Sequence, residues 1–126
     1  MDASALVAIA QGEPEEQSFL ALLQKTDTAY LSPINYVETG LILARRRLIP
    51  DQLRLDRWLV SVNVKVDDDT ALGSRALDAY LRYGKGFHPA RLNLADCFAY
   101  ALAKQLDLPL LYKGDDFAKT DIRSAL

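Results

Sequence analysis

Two short β-prone runs, Thr28-Ala29-Tyr30-Leu31 and Val62-Asn63-Val64-Lys65-Val66, flank about thirty residues of helical pattern, and this spacing constrains the fold most. Short strands alternating with helices indicate a parallel sheet, so the chain reads as an α/β domain. The remaining segments agree. Glu13-Pro14-Glu15-Glu16 opens a helix through Phe19, Leu20, Leu22 and Leu23, with its acids where the helix dipole favours them. Ser32-Pro33 is an N-cap followed by a first-turn proline, and the helix it starts ends at Arg45-Arg46-Arg47. Pro50 begins a helix through Leu55 and Leu59, and Asp67-Asp68-Asp69 leads into another through Leu72, Ala76 and Tyr80. Tyr83 to Ala90 reads as a loop, Asn93 caps a helix ending near Gln105, and Pro109-Leu110-Leu111-Tyr112 reads as a final buried strand. At 126 residues the expectation is one domain, 1–126.

No apolar run approaches the ~20 residues that cross a bilayer, and no basic-then-apolar leader is visible, so a cytoplasmic protein without membrane contact is expected. A single cysteine, Cys97, permits no intrachain disulfide and reads as a small buried hydrophobe. The net charge of −2 does not mark a nucleic-acid binder. Setting aside four carboxylates assigned below to a metal site leaves 15 basic against 13 acidic residues, so charge argues neither for nor against RNA.

Several acids stand where solubility alone would not put them. Asp2 precedes the apolar run Ala3 to Ile9; it either lies at the carboxyl end of a strand, where open α/β sheets bind ligands, or caps a helix. Glu38 has Ile34, Leu41 and Ile42 as its helical neighbours, so it borders an apolar face, as a site residue or as an edge-of-core glutamate. Asp96 is three residues beyond Asn93, where an acid completes a capping box. Asp115 and Asp116 follow the last strand, and Asp121 comes five residues later. Carboxylates gathered in one crevice repel unless a cation joins them, and oxygen ligands without a suitable His or Cys set favour Mg²⁺ or Mn²⁺. The lone His88, beside Pro89, reads as a hydrogen-bonding residue.

In order along the chain, Asp2-Ala3-Ser4-Ala5-Leu6-Val7, Asn35-Tyr36-Val37-Glu38, His88-Pro89-Ala90-Arg91-Leu92-Asn93-Leu94-Ala95-Asp96-Cys97-Phe98-Ala99-Tyr100 and Lys113-Gly114-Asp115-Asp116-Phe117 resemble PIN-domain ribonuclease toxins of the VapC type. The resemblance spans the whole chain, and its third block is the most specific. It implies a PIN-like fold, a short central parallel sheet flanked by helices in three α/β/α layers. It also implies a Mg²⁺- or Mn²⁺-dependent endoribonuclease acting as the toxin of a type II toxin–antitoxin pair. Asp2, Glu38, Asp96 and Asp116 would be the catalytic acids, with Asp2 and Asp96 the principal metal ligands and Ser4 and Asp121 in secondary roles. RNA, a VapB-type antitoxin and a second copy of the chain would be the partners. The family carries several apolar residues before its first Asp, whereas here Met1 alone precedes Asp2; either the first strand is unusually short or the true start lies upstream. Lys85, Arg91, Lys113 and Lys119 are candidate phosphate contacts or solvated cations, and Tyr83, Phe87 and Tyr112 are candidates for base stacking or core packing. Two other readings are a PIN-like binding module without catalysis and a Mg²⁺-binding phosphoacceptor domain. The latter wants adjacent acids after the first strand, where this chain has the single Asp2.

Overall fold

A computed structural model describes all residues, 1–126. In chain order the elements are α1 (Ala3–Gln11), α2 (Glu16–Gln24), β1 (Ala29–Leu31), α3 (Pro33–Arg45), α4 (Gln52–Ser61), β2 (Val64–Val66), α5 (Leu72–Tyr83) and α6 (Leu94–Leu106), then a 3-10 turn at Asp116–Lys119. β1 and β2 pair in parallel, Ala29 with Val64 and Leu31 with Val66, as expected of strands alternating with helices.

The sheet extends beyond its two named strands through single backbone bonds. The Met1 amine donates to the Tyr30 carbonyl, and the Asp2 N–H donates to the Leu111 carbonyl at 2.9 Å. Met1 and Asp2 therefore sit between β1 and the segment around Leu111. The strand predicted over 109–112 shrinks to one parallel bridge, Leu110 with Ser124. Pro109 has no N–H to donate, and the chain turns at Gly114 with φ 93°, so regular pairing ends on both sides.

Side chains that alternate along these extended segments define the layers. Leu31 and Leu111 enter one apolar cluster with α1, α2, α3 and α4 through Leu6, Phe19, Leu43, Leu55 and Leu59. Their neighbours Tyr30 and Leu110 belong with the other, built by α5 and α6 from Leu72, Ala76, Ala99 and Leu102. Helices thus cover both faces of a small parallel sheet, the expected α/β/α arrangement.

Local chemistry sets the helix ends. Asp51, not Pro50, starts α4, because its carboxylate accepts the Arg54 N–H at 3.0 Å. Asp67 and Asp69 shape the turn before α5 by accepting the Asp69 and Ala71 N–H groups, which delays that helix to Leu72. Gly84 ends α5 where a Cβ would collide with the Tyr80 carbonyl, and its bridge to Leu92 delivers the chain to the start of α6. No helix is long and apolar enough to cross a membrane.

Candidate active site

Five polar side chains are buried in this chain, Asp2, Ser32, Asn35, Thr39 and Asp96, and they collect in one place. Four of them stand at the starts of three helices, and Thr39 lies one turn beyond Asn35 in α3. Asp2 caps α1, Ser32 caps α3 and Asn93 caps α6, so three helix N-termini and their partial positive charges converge on the carboxylates.

Asp2 serves in both of the ways its position in the sequence allows. Its backbone occupies the end of a sheet position, and its side chain caps α1, Oδ2 accepting the Ser4 N–H at 3.0 Å and the Ser4 hydroxyl at 2.5 Å. Ser4 Oγ in turn accepts the Lys113 N–H at 3.0 Å, tying the Asp2 carboxylate to the loop that carries Asp116.

Asn35 is the connecting residue that the acid pattern did not reveal. Its amide donates to the Ala95 carbonyl at 3.2 Å and, more weakly, to Asp2 Oδ1 at 3.4 Å, while its Oδ1 accepts the Ser32 hydroxyl at 2.5 Å. The available signal is periodicity: Asn35, Thr39 and Leu43 recur every fourth residue on one face of α3, and all three are buried. Two polar residues on a buried stripe need internal partners. Thr39 finds one in the Asn35 carbonyl at 2.7 Å.

Asp96 likewise combines two roles. It completes the capping box of α6, Oδ2 accepting the Asn93 N–H at 2.9 Å while Asn93 Oδ1 accepts the Asp96 N–H at 2.8 Å. A cap alone would leave an ordinary carboxylate. Burial instead pushes the Asp96 carboxyl up to about 7; the Asn93 N–H opposes the shift, and the negative charges of Asp2, Asp116 and Glu38 add to it. Glu38, half-buried on α3, is also raised, first by burial and then by Asp2. Asp2, Glu38, Asp96 and Asp116 thus share one electrostatic neighbourhood, and none forms an ion pair with a lysine or arginine. Asp116 is its exposed member, at the first residue of the 3-10 turn, and Asp115 beside it is also exposed.

The other acids and cations take separate places. Asp121 accepts the Tyr100 hydroxyl at 2.5 Å and pairs with Lys104 at 2.9 Å, one and two turns along α6 from Asp96, and these bonds hold its carboxyl down at about 2. Lys113 pairs with Glu13 and Glu15, away from the acidic centre. His88 Nδ1 accepts the Ala90 N–H at 3.0 Å, the hydrogen-bonding role expected of it. Tyr83 packs on Tyr100 and Tyr112 on Phe117, whereas Phe87 is exposed. Cys97 is buried, its thiol pushed up to about 12 by burial and the Asp96 charge, which makes it a packing residue.

No three acid, histidine or cysteine side chains are drawn closely enough together to enclose an ion already. The donor chemistry nevertheless suits a hard divalent cation: carboxylate oxygens only, those of Asp2 and Asp96 buried, the Asp96 carboxyl raised in proton affinity, and no side-chain cation to neutralise them.

Comparison with known proteins identifies the family. A family model described as "PIN domain" matches residues 1–123. Ribonuclease VapC30 of Mycobacterium tuberculosis is 44% identical over 125 residues, covering 97% of this chain and 94% of the relative. Ribonuclease VapC42 of the same species is 42% identical over 127 residues, covering 99% and 97%. A VapC ribonuclease of Rhizobium meliloti is 39% identical over 140 residues, covering 97% of each chain. With the family model and these relatives covering nearly its whole length, the chain belongs to the PIN-domain family.

Proposed function

We propose that this protein is a divalent-metal-dependent endoribonuclease and the toxin of a type II toxin–antitoxin pair. One observation carries the chemistry: every buried polar side chain of the chain belongs to the cluster around Asp2 and Asp96, where the charges of Asp2, Asp116 and Glu38 are felt at Asp96 and no cationic side chain pairs with any of the four. Ribonucleolysis and the toxin role follow the names of the VapC relatives.

Asp2 and Asp96 would hold Mg²⁺ or Mn²⁺, with Glu38 and Asp116 in the acidic rim. When bound, the cation supplies Lewis-acid chemistry, acidifying water and taking up charge on phosphate oxygens. Ser4 and Asn35 fix the Asp2 carboxylate from its two oxygens, so its direction does not depend on substrate. Glu38, half-buried and raised above the usual carboxylate range, is placed to accept a proton at the rim. Asp121, bound to Tyr100 and Lys104, supports the fold beside the site. RNA in single-stranded or loop form is the substrate class, since only unpaired bases expose their edges readily. A VapB-type antitoxin restrains the enzyme, which works as a homodimer in the cytoplasm.

Incubation of the purified protein with labelled RNA tests the reading. Cleavage with Mn²⁺ that EDTA abolishes is the expected result. Intact RNA with added metal, from folded protein, would leave the fold as a binding module without catalysis.

A further inference from the structure

Lys113 touches both ends of α1. Its backbone N–H donates to Ser4 Oγ in the first turn at 3.0 Å, and its ammonium pairs with the Glu13 and Glu15 carboxylates beyond the last turn, Glu15 at 3.2 Å. Ser4 and Gln11 stand roughly 10 Å apart along the helix axis, so the lysine side chain lies lengthwise against α1. Its acceptors are held ready. Gly12 ends α1 at φ 67°, the Glu13 N–H donates to the Ala8 carbonyl at 3.0 Å, and Gln11 Nε2 donates to Glu13 Oε1 at 3.2 Å, leaving Oε2 to the lysine. Glu15 Oε2 is inaccessible to solvent, and the Lys113 ammonium is the charge that answers it.

At the other end of the helix, the Ser4 hydroxyl has a single proton. By accepting the Lys113 N–H, Ser4 Oγ aims that proton at Asp2 Oδ2, 2.5 Å away. The chain then turns at Gly114 and carries Asp116 on an exposed 3-10 turn whose one buried side chain is Phe117. Between buried Leu111 and Phe117, only the Lys113 side chain makes an ion pair or hydrogen bond. The start of the Asp116 loop and the direction of the Asp2 carboxylate therefore hang on the same residue.

We infer that Lys113 is a positioning residue of the acidic site: clamped by Glu13 and Glu15, it fixes the Ser4 hydroxyl on Asp2 and the Asp116 loop against α1. It acts through these groups and binds no phosphate, because two carboxylates already share its ammonium. Lys85, Arg91 and Lys119, by contrast, are exposed and have no carboxylate partner. The effect of the strap on cleavage rests on the nuclease reading above; the strap itself does not.

Amide hydrogen exchange, followed by NMR, tests the strap without substrate or metal. Glu13→Gln combined with Glu15→Gln removes both ion pairs and keeps the side-chain shapes. In that protein the Lys113 amide should exchange about fivefold faster, the worth of partly exposed ion pairs, while the amides of α5 keep their wild-type rates. Unchanged exchange at Lys113, or equal acceleration in α5, overturns the strap. Cleavage kinetics test its consequence. Lys113→Met and the glutamine variant should each lower kcat about tenfold or more and leave KM within about twofold, since misplaced groups lose rate and not ground-state binding. Lys113→Arg should keep most of the rate, and Arg123→Met, which breaks the exposed pair with Asp107, all of it. If Lys113→Met does not fold, the glutamine variant decides. A raised KM with unchanged kcat in Lys113→Met, or full activity of the glutamine variant, overturns the positioning role. A wild type that cleaves no RNA while its Lys113 amide responds as expected removes the nuclease reading and leaves the strap in place.

Discussion

Replacing Asp96 with Asn should stabilise the metal-free protein, although it alters a helix cap. The Asp96 carboxyl stands at about 7 in the folded protein against an ordinary value of 3.8. At about 1.4 kcal/mol per unit, ionised Asp96 costs the fold up to roughly 4 kcal/mol. Some of that penalty remains in the variant, because an amide is also polar and buried. The neutral Asn oxygen also accepts the Asn93 N–H less strongly than a carboxylate does, a loss of about 1 kcal/mol. A net gain of about 2 kcal/mol is expected, or roughly 5–10 °C in melting temperature for a domain of this size. The sign fixes the pH dependence. Folding raises this pKa, so the penalty is absent below the unfolded value near 3.8, grows as pH rises, and is complete above about 7. Thermal melts in EDTA should therefore show the variant ahead at pH 8, with the gap closing towards pH 4. Mn²⁺ should reverse or shrink the gap at pH 8, since a ligand at a hundredfold excess over its Kd adds about 2.7 kcal/mol to the protein that binds it. Equal melting temperatures at pH 8, or the same Mn²⁺ response in both proteins, would reduce Asp96 to a capping residue and refute the argument.

Three further outcomes are expected. Asp116→Asn should reduce RNA cleavage far more than Asp115→Asn, because Asp116 acts on the buried Asp96; the reverse order in a cleavage assay would show the turn misassigned. Asn35→Ala should lower stability by about 2–3 kcal/mol in urea titrations, by leaving Ser32 and the Ala95 carbonyl without their partner, and should also slow cleavage by freeing Asp2. Asp121→Asn should cost less than about 1 kcal/mol at neutral pH, since its ion pair with Lys104 is exposed, and the difference should vanish as acid protonates Asp121 near pH 2.

Much of the local structure is legible because its causes lie within a few residues. Ser32-Pro33 and Asn93 with Asp96 are complete helix-start signals, and each starts a helix where expected. The two β-prone runs alternating with helices are sufficient for a parallel pair. Boundaries shifted where neighbouring polar groups competed for the same backbone, as Asp51 did with Pro50. The strand expected at 109–112 was reduced because pairing needs partners as well as propensity, and Pro109 withdraws a donor.

The acids were visible individually, but sequence could not decide between a cap and a site for Asp2 and Asp96. Tertiary structure shows that this was not a choice. Asp2 caps α1 and Asp96 completes the capping box of α6, and both lie in one buried cluster that Asn35 bridges, reaching across 33 positions to Asp2 and 60 to Ala95. Lys113 and Asp121 carry no local mark of their partners either, since Glu13 lies 100 residues from one and Lys104 lies 17 from the other. Capping bonds form within a turn of chain and leave a pattern that can be read. Burial, and the charge repulsion that lifts Asp96, depend on which helix starts the packed core brings together, and no short stretch of the sequence records that.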